Sequence, residues 1–210
     1  MTFNVMISMD DCVVLCADRS AFSVYEDGRS ELSEQRVRKI TETPHGFITA
    51  SGWADLIQPV KERFAGEAPA DVDAMLSIIQ AEQDLFSKLS PELARSWIPR
   101  SSWKLSIPMS RGVVAAFYDH ENRGFSGLEA GRTIFTFPSE TPIDDREHVE
   151  GLFCRGQYVK PSGETVSDAI NQVLASVTYL RGRGISISQE IDVAIHLGGS
   201  RRLLELMAQD

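Results

Sequence analysis

The feature that most constrains this chain is its first hairpin. Phe3, Val5, Ile7 and Met9 alternate with Thr2, Asn4, Met6 and Ser8, the pattern of a strand with two distinct faces. Asp10-Asp11 is a turn signal, and Cys12-Val13-Val14-Leu15-Cys16-Ala17 is a second apolar run. A tight turn between them pairs residues whose numbers sum to about 21, as hairpin geometry requires. Asp18 or Arg19 therefore returns beside Thr2, as ionic groups at the end of an apolar strand. That position reads either as a strand ending at solvent or as a carboxylate set beside the start of the chain.

Thr2 follows Met1 directly, so removal of Met1 gives a threonine with a hydroxyl and a free α-amine on one residue. An α-amine has an unperturbed pKa of roughly 7.7–8 and can act as a general base near neutral pH. Threonine paired with its own amine is one way to activate a weak nucleophile. On its own, Met-Thr is a common start with no chemistry attached, so other residues must converge on it.

A second hairpin supplies candidates. Residues 37–43 lead through Pro44-His45-Gly46 into Phe47-Ile48-Thr49-Ala50-Ser51. A three-residue loop closing on glycine pairs Thr43 with Phe47 and sets Lys39 opposite Ser51 on one sheet face. Gly52 follows, and glycine permits close backbone approach. Lys39 facing a Ser51-Gly52 corner suits an oxyanion pocket; on residues alone it reads equally as an exposed lysine on an edge strand.

The rest of the chain supplies a frame. Residues 20–36 are polar and read as a loop or short strand, with a turn at 26–29. Helical spacing predicts helices over 54–64, from a cap at Asp71 or Asp73 to Leu89, over 91–97 and over 165–180. Strands are expected at 103–107, 112–118, 133–137, 151–154 and 190–196, a polar loop at 138–149, and a short helix at 203–207. His120 and His148 read as solvated and His196 as a structural histidine. The 210 residues are expected to form one domain, 1–210. No stretch approaches 18 continuous apolar residues, and the start lacks the basic flank and apolar core of a signal peptide. The formal net charge of −9 argues against nucleic acid or anionic membrane as the main partner. Cys12, Cys16 and Cys154 make no disulfide framework, and Cys12-x3-Cys16 has the wrong spacing for zinc. Two of them read as buried small hydrophobes, and a reducing cytoplasm fits. No cofactor or metal is expected.

Taken together, Thr2, Ala-Asp-Arg-Ser at 17–20, Lys-Ile at 39–40 and Ala-Ser-Gly-Trp-Ala-Asp at 50–55 resemble the proteasome β-subunit family, including its bacterial and Anbu-type homologues. These are N-terminal-nucleophile hydrolases. The spacing from Thr2 to Asp18 suits the family without gaps, and the Lys39 hairpin is slightly shorter than usual. The match is close over roughly the first quarter of the chain; beyond it only the order of elements agrees. The resemblance implies an α+β fold, a four-layer αββα sandwich. It implies a threonine peptidase or amidase acting on a peptide or amide substrate, assembled as a homo-oligomeric ring or spiral, with room for an ATPase unfoldase as partner. Thr2 would be the nucleophile and its amine the proton acceptor. Lys39 would favour the neutral, basic amine. Asp18 would hold Lys39, and the backbone N–H of Ser51 or Gly52 would donate to the oxyanion, a contribution on the order of 3 kcal/mol.

The chain departs from the family pattern twice. Cys154-Arg155-Gly156 places a large cation where a small hydroxyl is usual; an arginine there suits a carboxylate ligand instead. Residues 183–188 contain Ser186 and Ser188 but none of the expected aspartate. Two other readings therefore stand beside the hydrolase: a catalytically inactive proteasome-like subunit acting as a structural or binding module, and an N-terminal-nucleophile amidotransferase or ligase.

Overall fold

The computed structural model describes residues 2–24, 30–110, 112–120, 123–154 and 156–209. The expectations for Met1, for the turn at 26–29 and for Arg155 lie outside those residues. β1 (Asn4–Met9) and β2 (Cys12–Asp18) come first, then β3 (Ser20–Val24), β4 (Ser30–Arg36), β5 (Ile40–Thr43) and β6 (Gly46–Ser51). Three helices follow, α1 (Ala54–Glu67), α2 (Val72–Leu89) and α3 (Pro91–Trp97), with a 3-10 turn at Ile98–Arg100. β7 (Ser102–Met109), β8 (Gly112–Asp119), β9 (Gly124–Leu128) and β10 (Arg132–Thr136) precede α4 (Ile143–Gly151) and α5 (Gly163–Gly182). The last elements are β11 (Glu190–Leu197) and β12 (Ser200–Met207).

The expected four-layer αββα sandwich is corrected by the sheets. The described strands form three antiparallel sheets: β10-β1-β2-β11-β12, β5-β6-β7-β8-β9, and a separate two-stranded sheet of β3 and β4. The fold is a strand-rich mixture of α and β, with five α-helices against twelve strands among the described residues. The region read as a loop or short strand is the source of the third sheet. Phe22 pairs with Leu32 and Ser20 with Arg36, so β3 and β4 satisfy each other's backbone and pair with neither large sheet.

The first hairpin has the expected register, running from Asn4↔Ala17 to Met9↔Cys12. Its alternation divides two cores. Phe3, Val5, Ile7 and Met9 pack with α5 residues Ala169, Val173, Val177 and Leu180. Met6 joins Leu15, Ala17, Ile40, Phe47, Val113 and Ala194, a cluster drawn from both five-stranded sheets. A third cluster sets Leu56, Val60 and Phe64 of α1 and Ile79 of α2 against Trp103, Leu105 and Ala116.

Three other local expectations are also revised. Residues 203–207 are not a helix: Gly198-Gly199 turns the chain back, and β12 pairs with β11 from Leu197↔Ser200 to Glu190↔Met207. Two adjacent glycines between apolar runs are a hairpin signal, and the period of 2 follows from it. Residues 138–149 and 151–154 are not a loop and a strand: 152–154 form no strand, and α4 occupies 143–151. Its buried face is Asp145 and Val149, and an acid on the buried side hid the helical pattern. Asp145 is held there by the Tyr179 hydroxyl at 2.8 Å and Arg183 Nε at 3.0 Å. No helix among the described residues is long and apolar enough to cross a membrane.

Candidate functional site

The site is built where β2 ends beside the start of β1. Antiparallel pairing brings Asp18 back against residue 3: Asp18 N–H donates to the Phe3 carbonyl at 3.0 Å, and Phe3 N–H donates to Asp18 Oδ1 at 2.9 Å. Asp18 thus grips the peptide that joins Thr2 to Phe3. The same Oδ1 accepts from Lys39 Nζ at 2.6 Å, while Oδ2 accepts the backbone N–H of Ser20 at 2.9 Å and of Ser188 at 3.4 Å. Asp18 is 1% exposed, and Thr2 and Lys39 are each 8% exposed. Burying a carboxylate so fully is costly unless its oxygens are hydrogen-bonded, and here both are.

Lys39 lies just before β5 and is fixed at both ends. Its ammonium is on Asp18, and its backbone N–H donates to Asp192 Oδ2 at 3.2 Å. Burial pushes the Lys39 ammonium below its ordinary value, and Asp18, the strongest of the opposing influences, draws it back. Asp192 Oδ1 takes two bonds from Arg19, from Nε at 2.9 Å and from a terminal nitrogen at 2.6 Å. Arg19 also reaches Glu205 on β12 at 2.8 Å. Two buried aspartates from β2 and β11 therefore set the position of one lysine. Lys61 on α1 is buried nearby, pushed down by desolvation and drawn back by Asp192.

Ser51 ends β6 in the other large sheet and Gly52 follows it, and two contacts between the sheets fix which end they occupy. At one end His196 Nδ1 meets Ser106 Oγ at 3.0 Å, and His196 is level with Val13 and hence Ser8. Further along, Lys104 of β7 donates to Asn4 Oδ1, and Lys104 stands opposite Thr49. Moving from Ser106 to Lys104 is thus moving from Ser8 towards Thr2. The next residues in that direction are Ser51 and Ser102, which pair with each other. Ser51 and Gly52 consequently lie at the Thr2 end of the two sheets. The β5–β6 register differs by one from expectation: Thr43 pairs with Gly46 across a two-residue turn, Pro44-His45, and the ladder stops at Ile40↔Thr49. Lys39 is therefore beyond the ladder, not opposite Ser51, which frees its side chain to reach Asp18. Gly52 has φ +144°, and a Cβ there would meet Ser101 Oγ at 2.2 Å. Only glycine fits that corner.

Lys104 was not singled out from sequence. It is buried without a carboxylate, bonded to Asn4 and to Thr136 Oγ1 at 2.7 Å, and burial pushes it down to about 7. Asp192 was also missed, although an acid inside Ile191-Asp192-Val193-Ala194-Ile195 is itself a signal, since buried charges need partners. His196 is structural, as its bond to Ser106 indicates. His120 is half-buried: its Nε2 meets the Ser101 carbonyl and its ring packs edge-on against Tyr118 at 4.9 Å. His148 stacks on Tyr179 at 4.2 Å. Burial raises the thiols of Cys12 and Cys16 to about 11 and about 12, which keeps them protonated and inert.

No protein-family model matches the chain. A search of curated proteins likewise finds no match.

Proposed function

We propose that the chain is a proteasome-like threonine peptidase or amidase that works by acyl transfer through Thr2. The observation that carries this reading is the Asp18 carboxylate, which accepts both the Phe3 N–H at 2.9 Å and the Lys39 ammonium at 2.6 Å. A lysine–aspartate pair built against the residue after a threonine is what an N-terminal nucleophile needs. With Met1 removed, the Thr2 hydroxyl attacks a substrate carbonyl and its proton passes to the α-amine. Lys39 keeps that amine in its neutral, basic form by charge repulsion. The oxyanion accepts from backbone N–H at Ser51 or Gly52. Expulsion of the leaving amine, which takes the proton, leaves an acyl ester on Thr2 Oγ. Water, activated by the same amine, releases the acid and restores the hydroxyl.

The same reading carries a homo-oligomeric ring or spiral, an ATPase unfoldase as a candidate partner, and residence in the cytoplasm. Replacing Thr2 with alanine tests it: hydrolysis of amide substrates and covalent labelling should both vanish while assembly stays intact. Activity persisting in Thr2→Ala would rule the nucleophile out.

A second reading, an inactive subunit serving as a structural or binding module, draws on one observation. Among the described residues, the segment before β11 gives Asp18 the backbone N–H of Ser188, whose hydroxyl accepts from Glu190 N–H at 3.0 Å. A protein isolated with Met1 retained and no turnover of any amide would favour it.

A further inference from the structure

Behind the Asp18 corner lies a cleft of about 400 Å3 whose lining includes Leu32, Arg36, Arg181, Ser186, Ser188 and Glu190. Its volume lies in the range of small-molecule and short-peptide sites. One wall is β4, which among the described residues pairs with β3 alone and so presents its other edge. The opposite wall is the last turn of α5 and the extended segment 185–189, which belongs to no sheet. Such edges are where an extended peptide adds its own backbone hydrogen bonds. The floor is continuous with the candidate site, because Ser188 N–H donates to Asp18 Oδ2 at 3.4 Å and Arg19 N–H donates to the Glu190 carbonyl at 3.2 Å.

Among the described residues that line the cleft are two cations, Arg36 and Arg181, and one acid, Glu190. Arg36 approaches Glu190 only to 3.9 Å, at the limit of an ion pair, and its side chain is 41% exposed. A guanidinium offers five N–H donors in a planar fork that matches a carboxylate. Serine hydroxyls at 186 and 188 add neutral polar groups suited to a carboxylate's outer oxygens.

We infer that this cleft binds a carboxylate, presented by an acidic residue of an extended peptide. The inference rests on the proposed peptidase reading for its substrate, but its chemistry is separable from it. The test uses the full-length protein carrying Thr2→Ala, so nothing is turned over, and fluorescently labelled acetyl-Ala-Glu-Ala-amide beside its Gln counterpart. The Glu peptide should bind at least tenfold more tightly. That preference should disappear when Arg36 and Arg181 are both changed to Gln and return in part when both are changed to Lys. Equal affinity for the two peptides, or a preference that survives the double Gln change, would overturn the inference. Competition by glutarate at the peptide's own affinity would assign the carboxylate to a free dicarboxylate; its failure to compete would assign it to a peptide side chain. Both outcomes keep the carboxylate site. A protein that labels at Thr2 but shows no charge preference loses only the cleft. One that shows the preference without labelling loses only the peptidase.

Discussion

Lys39 is the residue on which the chemistry turns, and the fold holds it with two buried carboxylates, Asp18 at its ammonium and Asp192 at its backbone. Changing Lys39 to Met should lower the rate of covalent labelling at Thr2 by about 100-fold, the scale of one lost electrostatic contribution of about 3 kcal/mol. Asp18 keeps the backbone N–H donors of Phe3, Ser20 and Ser188 but loses its buried counter-ion, so stability should fall as well, by about 3 kcal/mol. Asp192→Asn separates stability from labelling. It removes the nearer of the two carboxylates on Arg19, at 2.6 Å, and leaves Glu205 at 2.8 Å. Urea denaturation should then show a loss of about 2 kcal/mol, less than for a buried ion left with no partner. Labelling should fall less than in Lys39→Met, because Asp18 still holds the ammonium. An Asp192→Asn protein as stable as wild type would show that the Arg19 pair contributes nothing. The Asp18–Thr2 neighbourhood was legible from sequence because strand periodicity fixes it. Asp192 is not legible in the same way, because a strand at 190–196 does not by itself say which partner its acid faces.

At the scale of elements, turn length decided what could be read. Asp10-Asp11 closes the first hairpin in the expected register. At Pro44-His45 the turn is one residue shorter than expected, and a single-residue slip moves a side chain to the other face of a ladder. Lys39 reaches Asp18 all the same, because it precedes the ladder and has a long, flexible stem. β12 and α4 were misread for different reasons: Gly198-Gly199 was not taken as a hairpin turn, and Asp145 disguised the buried face of a helix. Two glycine substitutions should separate the elements by sign. Gly66 lies in α1, and a Cβ there meets nothing within 4 Å, so Gly66→Ala should stabilise the protein by about 0.5 kcal/mol. Gly52→Ala should destabilise by about 2 kcal/mol, since positive φ is combined with a clash against Ser101. Thermal melts of the two variants should move in opposite directions; a shift of the same sign would contradict the geometry at Gly52.

Across the whole molecule, the two large sheets meet through an apolar cluster, and Lys104 is a buried cation that also bridges them. Lys104 joins β7 to Asn4 of β1 and to Thr136 of β10, while Asn4 Nδ2 and Thr49 Oγ1 have no partner among the described residues. Burial brings Lys104 from an ordinary 10.5 down to about 7. Below about pH 7 it is charged in both folded and unfolded chains, so the penalty of burying it is fully present. Between about 7 and 10.5 the unfolded chain holds a proton that the folded one has released, so stability rises with pH. The slope reaches at most about 1.4 kcal/mol per pH unit. Denaturation midpoints from pH 7 to 10 should climb less steeply in Lys104→Met than in wild type, and parallel curves would show that Lys104 does not titrate in this window. The third sheet and the overall strand content were not legible, because β3 and β4 are polar and pair only with each other.

The most direct test is the intact mass of the purified protein after exposure to a threonine-directed electrophile. A mass lacking Met1 and carrying one adduct, mapped to Thr2 and lost in Lys39→Met, is the predicted result. Met1 retained with no adduct would contradict a live nucleophile and leave the Asp18–Lys39 pair as a structural feature of a binding module.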